Sequence, residues 1–316
     1  MKNIYLRRFN FLLKEFLYKK NLNISLKKNN FSIKKVIYNE EIKDIYNSYI
    51  PPIEINYNFN GSILNYKKLF LEKPFKDYFP IINKYSSSNL KKNKKINFLD
   101  LGCGFGPMAV AFLNFIRSQD KDYQSKYLGI DINKIAIDWL KIAYKNNLQF
   151  KFLLHNTNLN NDYMQSKSLG LETNKDSDGS EVQYNLEDFK YSVQWSMSYF
   201  THLTPTACNK VLKLISNTGE EEALQFNSWL IVDDDSKFSL QAKMANRLLP
   251  YDMGEYLTRS KLNPLTVTAY KEDFINNLYK NNNLKIIDIL KGNWRGTNNY
   301  SHSFNLSQDI IVSKKM

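Results

Sequence analysis

Apolar positions along this chain fall in short runs that alternate with stretches of helical spacing. Ile96, Phe98 and Leu99 form an apolar run ending at Asp100; glycines follow at 102, 104 and 106, and Met108, Ala109, Val110, Phe112 and Leu113 then recur with helical spacing. That pattern predicts a buried strand turning through a glycine loop into a helix. A second unit repeats it, with a strand over 127–131 ending at Asp131 and a helical pattern over 135–144. A third strand is expected over 150–156, half-buried by its alternation, and a fourth opens at Ser192. A helix through Val211, Leu212 and Ile215 leads to a fifth strand over 223–232, which meets Asp233, Asp234 and Asp235. Beyond these, 266–278 has helical spacing, 284–290 reads as a strand, 292–296 as a loop and 307–315 as a closing strand. Strands alternating with helices are the signature of an α/β sheet.

The remaining segments set the organisation. Residues 1–57 read as a basic N-terminal extension, with apolar positions at 9, 12, 13, 16 and 17 on one helical face; Pro51 and Pro52 stop the pattern. Residues 58–316 form the expected main domain, in which 58–90 begins with helices anchored by Phe70, Phe75, Tyr78 and Phe79. Residues 86–95 read as a linker, 165–179 as a polar surface loop, and 236–262 as an insertion after the fifth strand able to cap the site.

Glycine is needed where the backbone takes a positive φ or admits a ligand to contact distance, and the helix end beyond such a loop favours an anionic group. The dinucleotide fingerprint G-x-G-x-x-G would need glycine at 107, where Pro107 stands. The spacing present is D-x-G-x-G-x-G. It resembles the first motif of class I S-adenosylmethionine-dependent methyltransferases. Segment 192–205, containing FTHLTP, is similar to the S-x-F-T-H-L-T-P segment of one bacterial branch of that family, as are 263–270 and the tail with W-x-G and Q-D-I-I-V. The likeness covers residues 58 to 316 and is loose between 157 and 190.

The resemblance implies a doubly wound, Rossmann-like, mostly parallel sheet of seven strands, with helices on both faces, an antiparallel last strand and N-terminal helices over the cleft. It implies S-adenosyl-L-methionine as cofactor. Asp100 with Gly102, Cys103, Gly104 and Gly106 would hold the methionine end. Asp131, beside Ile132, would take the ribose hydroxyls; a role as N-terminal charge for the next helix is the plainer reading and is compatible with it, since the strand tip is also the helix entry. Asn156 stands where the family has an acid facing the adenine amino group; its amide oxygen accepts the same bond, with Thr157 and His155 as neighbours able to substitute. Ser198 completes the cofactor set. His202, just past the fourth strand, is the expected general base, against a reading in which Thr201 or Thr204 caps the next helix and His202 packs at its start.

Composition changes this picture little. The chain has 316 residues, 43% hydrophobic, with a formal charge of +13. The excess is mostly Lys, scattered through a chain rich in Asn, Ile and Tyr, a mixture expected from an AT-rich genome, and no aromatic-interleaved RNA-binding signature accompanies it. Two cysteines, Cys103 and Cys208, make no disulfide framework, which with no signal peptide or membrane span points to the cytoplasm. The family likeness implies a hydroxyl acceptor on a small molecule or saccharide. An RNA methyltransferase and a non-catalytic binding module of the same fold remain as alternatives. No metal site is assigned: three consecutive acids at 233–235 more often face water than hold a cation. Trp294 and Arg295 either line the acceptor pocket or, for Trp294, anchor the core.

Overall fold

The computed structural model describes residues 49, 51, 73–93, 95–118, 124–155, 186, 189–233, 249–295 and 302–316, with side chains omitted at 87–93. All belong to one compact unit, Tyr49–Met316. The extension at 1–48, residues 58–72 of the helices expected over 58–90, the polar loop at 165–179, Asn156, Thr157, Asp234, Asp235 and the first part of the cap lie outside the described residues.

After a π-helical turn (Pro74–Tyr78) the chain runs through α1 (Phe79–Asn93), β1 (Lys95–Leu101), α2 (Pro107–Arg117), β2 (Gln124–Asp131), α3 (Lys134–Ala143) and β3 (Phe150–Leu154). It continues as β4 (Tyr191–Ser196), a 3₁₀ turn (Phe200–His202), α4 (Pro205–Thr218), β5 (Gly219–Trp229) and β6 (Ile231–Val232). Then come β7 (Tyr251–Asp252), β8 (Tyr256–Thr258), β9 (Thr268–Lys271), α5 (Glu272–Asn281), β10 (Leu284–Leu290) and β11 (Asp309–Lys315).

Seven strands form the main sheet in the order β10-β11-β5-β4-β1-β2-β3. β1 pairs in parallel with β2 and β4, and β2–β3 and β4–β5 are also parallel. The last strand, β11, lies between β5 and β10 and is antiparallel to both. The sheet is therefore the doubly wound, Rossmann-like type expected. Its order reverses between β1 and β4, and in open α/β sheets ligands bind beyond the carboxyl ends of the strands at such a point.

Alternation along β1 divides the core. Phe98 stacks on Tyr127, with Phe112 of α2 and Phe150 of β3 completing an aromatic layer on one face. Leu99 and Leu101 face the other way, into a cluster with Val211, Leu212 and Ile215 of α4 and Ile275 and Tyr279 of α5. Helices thus cover both faces, as period-2 burial on a central parallel strand requires.

Three expectations need correction. Residues 86–93 belong to α1, not to a linker. Ser86 returns its hydroxyl to the Ile82 carbonyl at 2.6 Å, so the side chain that usually competes with a helix is satisfied inside it. The helix expected over 266–278 begins at Glu272; residues 268–271 are instead β9, which pairs with β8 and opens on the β-branched Thr268. The fifth strand ends at Trp229, and Ile231–Val232 leave it to pair with β9 in a second sheet of order β6-β9-β8-β7.

Candidate functional site

Three left-handed glycines shape the loop after β1: Gly102 (φ 73°), Gly104 (φ 51°) and Gly106 (φ 80°). Gly102 and Gly106 also lack room for a side chain, because an added Cβ would lie 2.9 Å from the Tyr199 ring and 2.7 Å from Leu140 respectively. The loop is latched to the tip of β2. The amides of Gly102 and Cys103 donate to the Ile130 carbonyl at 2.8 and 3.1 Å. Gly104 N–H donates to Asp131 Oδ2 at 2.7 Å. Gly106 is the N-cap of α2 and no side chain caps that end, leaving it disposed toward an anionic group. Cys103 is buried in the loop, and burial pushes its thiol well above the usual range, so it stays protonated and inert.

Asp131 is the centre of this corner. Its Oδ1 accepts from Asn133 N–H at 2.7 Å while Oδ2 holds Gly104. The Ile132 amide is also directed at this carboxylate, so of its roughly four lone-pair sites one is left for a ligand hydroxyl. Burial raises its pKa, and the amides of Asn133, Gly104 and Ile132 oppose that rise. Ile132 therefore contributes backbone, not side chain. The cap of α3 is Asn133, whose Oδ1 accepts from Ala136 N–H at 3.2 Å, and the Asp131 carboxylate lies two residues before that cap, on the Asn133 N–H. Beside it, His155 N–H donates to the Asp131 carbonyl at 2.9 Å, and burial lowers the imidazole to about 4, which keeps it neutral near pH 7.

Asp100 is 2% exposed at the base of the loop, where its carboxylate accepts the Tyr127 hydroxyl. Burial raises its pKa to about 7, opposed by the Tyr127 hydrogen bond and reinforced by the Asp131 charge. The folded chain thus keeps a proton here that the unfolded chain releases near its ordinary value of 3.8. The stability tied to that proton is complete below the unfolded pKa and is lost as pH rises through about 7. Asp100→Asn removes this dependence, so thermal melts at pH 5 and pH 8 should lie closer together in the variant than in the wild type. Equal pH sensitivity in both would show that Asp100 ionises freely.

Past β4, Ser198 sits in the left-handed region (φ 55°) although it is not glycine. Such a residue costs on the order of 1–3 kcal/mol and persists only where its surroundings hold it. Tyr199 follows and lays its ring against Gly102. No local sequence pattern announces either feature. His202 ends the 3₁₀ turn, half-buried, with Nδ1 3.0 Å from the Leu265 carbonyl. A carbonyl only accepts, so Nδ1 carries a proton toward Leu265. Thr204 caps α4, as one of the two threonines was expected to, its Oγ1 accepting from Ala207 N–H at 3.2 Å.

The structure separates two other groups from the site. Trp294 is 2% exposed and donates Nε1 to Asp309 Oδ2 at 2.6 Å. Arg295 joins the buried Asp309 through Nε at 2.7 Å and a terminal nitrogen at 3.1 Å, while its other terminal nitrogen pairs with Asp233. Trp294 and Arg295 are core residues of the tail, and Asp233 is spent on an ion pair. Among the described residues no group of three His, Cys, Asp or Glu is placed to hold a metal ion. No described helix is long and apolar enough to cross a membrane.

No family model matches the chain. Similar solved structures include an S-adenosylmethionine-dependent methyltransferase from Clostridium acetobutylicum, at 13% identity over 76% of this chain and 92% of that one, with a TM-score of 0.46. Another from Methanosarcina mazei has 16% identity over 76% and 99%, with a TM-score of 0.45. Magnesium protoporphyrin IX methyltransferase from Synechocystis, with bound SAH, has 11% identity over 84% and 99%, with a TM-score of 0.45.

Proposed function

We propose that this chain is an S-adenosylmethionine-dependent methyltransferase that acts on a hydroxyl oxygen of a small molecule or saccharide, in the cytoplasm. One observation carries the cofactor reading: a loop of three left-handed glycines, latched to Asp131, stands at the switch point of the sheet. The loop admits a ligand backbone-close, Asp131 retains acceptor capacity for a ribose hydroxyl, and the uncapped end of α2 favours a carboxylate. Pro107 in place of a third fingerprint glycine speaks against a dinucleotide. In this reading Gly102, Cys103, Gly104 and Gly106 cradle the methionine end, Asp131 and Ile132 mark the ribose, and Asn156 and Thr157 follow toward the adenine. Asp100 supports the loop from beneath.

The cofactor supplies an electrophilic methyl group on a sulfonium that is its own leaving group. What remains for the protein is alignment, exclusion of water and removal of the acceptor's proton. Alignment alone is worth roughly 7–11 kcal/mol in well-held cases. His202 is the base in this reading, with Nε2 taking the hydroxyl proton while Leu265 holds Nδ1–H. The segment that holds it is itself fixed, since Thr268 Oγ1 donates to the Phe200 carbonyl at 3.5 Å.

Mass spectrometry of ligand co-purified with the chain, then a methyl-transfer screen across small hydroxyl compounds, glycans and RNA, tests the function. Transfer to RNA alone would overturn the acceptor class. With the acceptor in hand, His202→Asn should lower kcat by roughly 10²–10⁴ with little change in Tm. Turnover within a few-fold of wild type, with a lowered Tm, would make His202 structural.

A further inference from the structure

Three side chains far apart in sequence close a hydrogen-bonded ring around the strained residue past β4. Ser198 N–H donates to Ser228 Oγ at 2.6 Å. Ser228 Oγ donates to Gln308 Oε1 at 2.8 Å. Gln308 Nε2 donates to Ser198 Oγ at 2.9 Å. The direction of the ring is fixed by Ser228, which is fully buried in β5. With the Gln308 amide reversed, Ser228 Oγ would receive two N–H groups and its own proton would have no acceptor, a costly state for a buried hydroxyl. Gln308 can approach this closely because residue 292 is glycine: a Cβ there would lie 2.3 Å from the Gln308 carbonyl carbon.

One donor of the ring is left pointing outward. Ser198 Oγ receives from Gln308, so its proton is not used within the ring. Ser198 is half-exposed, two residues past β4 and next to Tyr199, whose ring lies on Gly102. The strand order at this edge is β4, β1, β2, with Ser198, the glycine loop and Asp131 at the respective tips. Adjacent strands are about 4.8 Å apart. A ligand whose ribose is at Asp131 and which crosses the loop therefore brings its amino-acid end to Ser198.

On the functional reading above, we propose that the Ser198 hydroxyl donates to the carboxylate of the cofactor's amino-acid end, and that Gln308, on the C-terminal tail, is the positioning residue that aims it. The strained backbone of Ser198 and the ring that holds it serve this one donor. Gln308→Glu isolates the proton direction. It keeps the side-chain shape and the acceptor for Ser228, but a carboxylate cannot donate, so the Ser198 proton turns inward.

Calorimetry on the full chain with two probes tests this: S-adenosylhomocysteine, and 5′-methylthioadenosine, which has the adenosine and thioether but no amino-acid end. Ser198→Ala and Gln308→Glu should each bind S-adenosylhomocysteine roughly tenfold to a hundredfold more weakly than wild type, as for loss of a hydrogen bond to a charged group. Their affinity for 5′-methylthioadenosine should match wild type. The deficit of Gln308→Glu should shrink as pH is lowered and the new carboxyl protonates, while that of Ser198→Ala should not. Ser198→Gly, which relieves the backbone, should show the Ser198→Ala defect with a higher Tm and so exclude misfolding as the cause. Unchanged S-adenosylhomocysteine affinity, or equal losses for both probes, would overturn the inference. A wild-type chain that binds neither probe would overturn the functional reading itself, and this inference with it.

Discussion

Asp131→Ala should bring S-adenosylhomocysteine binding close to the limit of detection while the chain stays folded. The carboxylate holds two things at once. Toward the ligand it offers an acceptor to a ribose hydroxyl, and within the protein it fixes Gly104 N–H at 2.7 Å and Asn133 N–H at 2.7 Å. Removing a charge-assisted hydrogen bond costs roughly 1.5–3 kcal/mol. Without the ribose hydrogen bond alone, binding would weaken about tenfold to a hundredfold; releasing the glycine loop as well should exceed a hundredfold. Asp131→Asn should fall short of a rescue, because its amide nitrogen must face at least one of the backbone N–H donors. Calorimetry with a parallel thermal melt checks this. A folded Asp131→Ala with an unchanged Kd would remove Asp131 from the site.

Arg295→Met should give the largest loss of stability. Asp309 is fully buried and accepts from Gly292 N–H, Ile231 N–H, Trp294 Nε1 and Arg295. Burial works against the Arg295 charge, but Asp309 and Asp233 outweigh it and hold the guanidinium above its usual pKa. Removing one partner of such a pair leaves an uncompensated buried charge, at a cost of roughly 3–5 kcal/mol. For a large domain that corresponds to a Tm lower by roughly 6–20 °C. Adding Asp309→Asn to Arg295→Met should recover part of the loss, since the stranded charge is gone. A Tm within about 2 °C of wild type for the single variant would mean that Asp309 protonates cheaply.

What the sequence discloses is what is local. β1, its glycine loop, α2, and the acid ending β2 lie within one window, so periodicity and spacing find them. The second sheet escapes because β6 and β7 are two residues long, too short for alternation to register, and because β9 merges with the helical spacing of α5. Asp309 reads only as part of a closing strand; its partners at 231, 292, 294 and 295 come together through the antiparallel insertion of β11 between β5 and β10. That same distance in sequence leaves Arg295 readable as a pocket residue, while Trp294 reads as readily as the core anchor it is. Asp100 is visible as an acid at a strand end, but its burial against Tyr127 depends on cross-strand geometry. Ser198 stands out by its place after β4; its strain and its ring with Ser228 and Gln308 depend on partners 30 and 110 residues away.

The most direct test of the cofactor reading is calorimetry of the full wild-type chain against S-adenosylhomocysteine and, separately, NAD. The loop latched to Asp131, with Pro107 in place of the fingerprint glycine, predicts micromolar binding of the first and no binding of the second. Binding of NAD, or no binding of S-adenosylhomocysteine by folded protein, would contradict it.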